Sequence, residues 1–203
     1  MRNMKPFHAN RLVKLAQHLA TIPEQYFDLS SWAEGEIDDQ SYLKQAGLKE
    51  QDEQTCSAQQ LIDVNCGTTA CALGWAATIP AFRKAGLKLV VDVSTHYPDP
   101  FWDEDEDEDE IDRETGLTAG KSYRLIGDVY YKPNSDCMPY SGISAGAAFF
   151  GITYEQSQYL FLTSFYFEKM ETGSISDVIQ HIVDVLWDNE YGAQASIVAS
   201  LEV

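Results

Sequence analysis

Apolar positions recur with two different periods along the chain. Leu12, Leu15, Ala16 and Leu19 fall at spacings of three and four, which predicts an amphipathic helix over about Ala9–Ala20, stopped by Pro23. From Glu24 to Glu34 the residues Tyr26, Phe27, Leu29 and Trp32 follow no period, and a packed loop or short turn is expected. A short helix is expected around Asp39–Ala46, closed by Gly47. The polar stretch Lys49–Gln60 reads as a surface loop. Asn65 or Thr68 suits the cap of a helix that continues over Ala70–Ala77. Pro80 then starts a turn through Lys84, ended by Gly86.

The period changes to two at Leu87, Leu89, Val91 and Val93, the mark of a strand. Tyr123–Lys132, rich in Tyr, Val and Ile, predicts a second one. The C-terminal third returns to helical spacing. Ser141 or Ser144 opens a short apolar helix that ends at Gly151, and Thr153-Tyr154-Glu155-Gln156 is a capping-box pattern for a helix to about Leu162. Ser174 opens the best amphipathic match, with Ile175, Val178, Ile179, Ile182, Val183 and Leu186 on one stripe. The expected fold is α+β and predominantly helical. It is a single domain over residues 1–203, with a small antiparallel strand pair interrupted by an acidic loop insertion at residues 99–120.

With 203 residues, 44% of them apolar and 12% aromatic, the chain is long enough for one real core, and wholesale disorder is excluded. Charge changes the picture more. There are 14 Lys and Arg against 32 Asp and Glu, a net charge of −18. A balance this acidic argues against direct nucleic-acid binding, because phosphates would be repelled. Residues Asp103–Glu114 contain ten acids and Arg113, a local charge of −9, so half of the net charge lies in twelve residues. No apolar run reaches the roughly 20 residues of a membrane span, and the N-terminus has no apolar signal region, so a cytoplasmic protein is expected.

The four cysteines, Cys56, Cys66, Cys71 and Cys137, read as reduced thiols. Cys66 falls where a helix is expected to begin, a position that can lower a thiol pKa. A cysteine-dependent hydrolase or transferase centred on Cys66, with Cys71 and His181 as further candidates, is therefore one reading. The competing and preferred one makes Cys66 and Cys71 small packing residues. A zinc site is disfavoured, because no Cys-x-x-Cys pair exists, even with His96 as a substitute ligand. Asp103, Asp105, Asp107 and Glu114 imitate the ends of a calcium loop. Glu108 stands where the glycine of that loop is required, which leaves only weak divalent binding. Gly116-Leu117-Thr118-Ala119-Gly120-Lys121-Ser122 is one residue short of a phosphate loop and reads as a turn. No cofactor is expected.

The blocks Phe27-Asp28-Leu29-x-x-Trp32 and Cys66-Gly67-Thr68-x-x-Cys71-x-x-Gly74-Trp75-Ala76, followed by Ala147-Ala148-Phe149-Phe150-Gly151-Ile152 and Leu160-Phe161, resemble a group of small phage and bacterial proteins of unassigned activity. The resemblance covers about half of the chain and implies a phage or prophage setting. Combined with the charge, it leads to the expectation of a non-enzymatic phage-type accessory protein. Its partner would be a host or phage protein with a basic surface, met by Asp103, Glu104, Asp105, Glu106, Asp107, Glu108, Asp109 and Glu110. A structural or assembly component of a virion is a further alternative.

Overall fold

The computed structural model describes residues 4–28, 32–37, 46–49, 51–57, 60, 69–96, 122–133, 137–162 and 173–201. Its elements are α1 (Pro6–Leu19), a 3-10 turn (Glu24–Tyr26), β1 (Ala33–Ile37), β2 (Gln51–Thr55), α2 (Ala72–Thr78), α3 (Pro80–Lys84), β3 (Leu87–His96), β4 (Ser122–Tyr131), β5 (Tyr140–Ser141), α4 (Gly142–Phe150), α5 (Tyr154–Phe161), α6 (Ile175–Asp188) and α7 (Gly192–Ala199). The fold is α+β, with helices forming most of it and one antiparallel sheet.

The expected strand pair is the centre of that sheet. β3 and β4 pair along ten residues each, in the order β1-β4-β3-β2, and the short β5 also pairs with β4. Leu87, Leu89, Val91 and Val93 sit opposite Tyr131, Val129, Gly127 and Leu125. All of these positions are buried, so one face of the sheet carries the core and the helices cover it. The opposite face holds Lys88, Asp92 and Arg124, all exposed.

Two loop expectations are corrected here. Gln51–Thr55 lies inside the stretch expected to be a surface loop, yet it pairs with β3. Ala33, inside the expected Glu24–Glu34 loop, pairs with Gly127 as the first residue of β1. Edge strands can be short and polar, because backbone hydrogen bonds to the neighbouring strand hold them and charge protects the outer edge. The expected helix around Asp39–Ala46 lies, up to residue 45, outside the described residues.

The helices follow their apolar stripes. α1 buries Ala9, Leu12, Leu15, Ala16 and Leu19, and it starts three residues earlier than the stripe suggests because Pro6 occupies its first position. α6 buries all six residues of its predicted stripe together with Val185. Ser174 accepts from Asp177 N–H, and Asp177 accepts from Ser174 N–H, a complete capping box. Thr153 and Gln156 cap α5 in the same way. Gly151 ends α4 at φ 65°, a conformation glycine adopts without Cβ strain. A Cβ there would also lie 2.4 Å from the His8 ring, so glycine permits α1 to approach the end of α4.

Candidate functional site

The cysteine block enters the described residues at Thr69. Ala70 N–H donates to Tyr26 O at 3.1 Å, and Asp28 N–H donates to Ala70 O at 3.3 Å. Trp75 Nε1–H donates to the same Tyr26 O, also at 3.1 Å. The segments around Phe27 and Trp75, distant in sequence, therefore form one packing unit beneath α1. The α2 cap is Cys71, not Asn65 or Thr68, which lie outside the described residues. Cys71 Sγ accepts from Gly74 N–H at 3.5 Å.

A helix N-terminus favours a thiolate, whereas burial in apolar surroundings opposes it. At Cys71 burial wins. The side chain is fully buried and its pKa is pushed up to about 12, chiefly by desolvation. Cys56, at the end of β2, is raised to about 12 for the same reason. These are environments of packing thiols. Cys66 lies outside the described residues. His181 is half-buried on α6, its ring 6.4 Å from that of Tyr159. His96 is the last residue of β3. Among the described residues, no cluster of three His, Cys, Asp or Glu side chains suits a metal ion.

These thiols give a direct expectation. Iodoacetamide at neutral pH should alkylate exposed Cys137 in the native protein and leave Cys71 unmodified until unfolding, as read by peptide mass mapping. Alkylation of Cys71 in the folded protein at the rate of an exposed thiol would restore it as a nucleophile candidate.

The acidic segment, with Asp103, Glu104, Asp105, Glu106, Asp107, Glu108, Asp109, Glu110 and Glu114, lies outside the described residues, and so does the Gly116–Lys121 part of the expected turn. Its attachment is described. His96 pairs with Ser122 as the last pair of the central β3–β4 ladder. Both ends of residues 97–121 therefore leave from neighbouring positions on the longest strand pair.

A groove that no sequence motif announced lies between the start of α1, β5 and the α4–α5 junction. It encloses about 710 Å³ and is lined by Lys5, His8, Tyr140, Ile152 and Tyr154 among others. Tyr140 and Tyr154 are 45% and 55% exposed. His8 Nδ1 lies 3.0 Å from Phe149 O. A carbonyl oxygen only accepts, so Nδ1 carries the proton and Nε2 keeps its lone pair. Burial, opposed by that hydrogen bond, lowers the His8 pKa, which keeps the ring neutral near pH 7. Three stretches of the chain, residues 4–8, residues 140–156 and Asn189, meet here, and their separation is why the spacing of residues along the sequence did not reveal the groove.

The fold and these sites define an α+β protein with a helical layer on one sheet face and a highly acidic connection at one end of its central strand pair. Compared with family models, curated proteins and solved structures, the chain matches none. Among the described residues, no helix is long and apolar enough to cross a membrane.

Proposed function

We propose that the protein is a non-enzymatic, phage-type accessory protein that works in the cytoplasm by binding a host or phage protein with a basic surface. Its contact region is the acidic insertion, residues 99–120, with Asp103–Glu110 as the principal charges. The observation that carries this reading is the His96–Ser122 pairing, which joins a segment of charge −9 to the body through two adjacent strand ends. Concentrated charge accelerates encounter with an oppositely charged surface more than it strengthens the final complex. The cysteine-dependent alternative is weakened by the burial of Cys71 and now rests on Cys66.

Association kinetics test the proposal, with a partner isolated on the immobilised chain. The association rate should fall steeply with added salt while dissociation changes little, because the Debye length shrinks from about 10 Å at 0.1 M to about 3 Å at 1 M. Changing Asp103, Asp105, Asp107 and Asp109 to Asn should slow association at low salt and flatten the salt dependence. A rate indifferent to both treatments would remove the acidic segment from the mechanism.

A further inference from the structure

A second cavity, of about 480 Å³, lies between α1, α3 and the end of β2, within the size range of small-ligand sites. Its charge is opposite to that of the protein. Lys14, His18 and Arg83 line it and no carboxylate does. The whole chain carries −18, yet its first 23 residues contain four Lys or Arg and no acid. Among the described residues neither Lys14 nor Arg83 has an ion-pair partner.

The hydroxyls lining the cavity have a fixed polarity. Thr21 Oγ1–H donates to His18 O at 2.6 Å, Thr78 Oγ1–H to Trp75 O at 2.7 Å, and Ser57 Oγ–H to Gln60 Oε1 at 2.9 Å. With their protons committed, these oxygens can act only as acceptors, and Ser57 Oγ already accepts one hydrogen bond, from Gln60 N–H at 3.3 Å. Thr78 is only 4% exposed, and its oxygen lies 3.5 Å from His18 Nε2. Ile79 and Pro80 add an apolar wall. The cavity therefore offers two cations, several acceptors and an apolar surface. A complementary ligand brings a compact anion, N–H or O–H donors, and a body with an apolar face.

We infer that this cavity binds a free nucleoside monophosphate, with its phosphate on Lys14 and Arg83, its amino and hydroxyl donors on the threonine and serine oxygens, and its base against Ile79 and Pro80. The Arg83 guanidinium suits bidentate phosphate recognition. The acidic segment does not oppose this at its point of attachment. Ser57 and Arg83 flank the Leu87 end of β3, and the acidic segment leaves at His96, nine residues or about 30 Å along the strand, several Debye lengths away at physiological salt. A nucleic-acid polymer would still meet the repulsion of the whole molecule.

Calorimetry on the full chain with adenosine monophosphate, adenosine and inorganic phosphate tests this. Adenosine monophosphate should bind saturably at one site, and more tightly than either fragment. Lys14→Gln with Arg83→Gln should weaken it by about tenfold for each cation removed, with the unfolding temperature unchanged. Thr78→Val reports on the acceptors, and a milder Thr21→Val variant covers the case in which buried Thr78→Val fails to fold. Absence of saturable binding, binding insensitive to the double variant, or phosphate binding as tightly as the nucleotide would overturn the inference. So would a 5′-phosphorylated oligonucleotide that bound more tightly than the mononucleotide.

Discussion

Replacing Gly74 by alanine is expected to destabilise the protein by about 3 kcal/mol or more, the upper range for overpacking a core. Intrinsic helix propensity predicts the opposite, a gain of about 1 kcal/mol for alanine at a helical position. Packing decides the sign. A Cβ on Gly74 would lie 1.8 Å from Trp32 O, 3.0 Å from Trp32 C and 3.1 Å from Ala70 Cβ. Two of these neighbours are backbone atoms and none is the end of a flexible chain. Neither side can retreat freely. Trp32 leads into Ala33, which pairs with Gly127 on β4, and Ala70 is held by Tyr26. The measurement is denaturant unfolding of Gly74→Ala beside the unsubstituted chain. Equal or greater stability of the variant would show that α2 does not approach Trp32 this closely.

Truncation of Phe149 to alanine is expected to cost about 3–5 kcal/mol, the range for removing a buried phenyl ring. The ring is fully buried, and its centroid lies 5.0 Å from those of Phe82 and Phe150 and 5.1 Å from that of Tyr131, all in edge-to-face orientation. The Arg11 guanidinium sits 3.9 Å above the same ring. Phe149 joins α4 to α1, α3 and β4, so its removal opens a void where four elements meet. Its backbone oxygen, which accepts from His8 and Arg11, is unchanged by the substitution. The destabilisation therefore reports the ring alone. A change in unfolding free energy below about 1 kcal/mol, the size of a surface substitution, would contradict this packing.

Elements whose burial shows in their own periodicity are legible in the sequence. The stripes of α1 and α6 identify their buried residues almost completely, and the alternation from Leu87 to Val93 identifies the core face of β3. Both capping arrangements, at Thr153 and Ser174, involve groups three residues apart, and Gly151 ends its helix as its position suggests. β1, β2 and α7 are not legible in this way. α7 buries only Ala195 and Val198, too few positions to mark a face, and residues 51–55 become a strand through backbone bonds to β3. The groove and the cavity escape sequence reading for a related reason. Lys14 and Arg83, or Lys5 and Tyr154, are far apart in the chain and share no motif.

The helical α+β class, the two central strands, the main apolar faces and the concentration of acid in one segment are legible along the chain, because each depends on side chains within a few residues of one another. The packing of distant segments is what makes Cys71 a buried cap, brings the Trp32 carbonyl against Gly74, sets the acidic segment on paired strand ends and places Lys14 and Arg83 at one cavity. Those features depend on which distant surfaces meet. In a close-packed interior, the approach of a distant partner decides whether a thiol is reactive, a glycine is indispensable or a cation is available to a ligand.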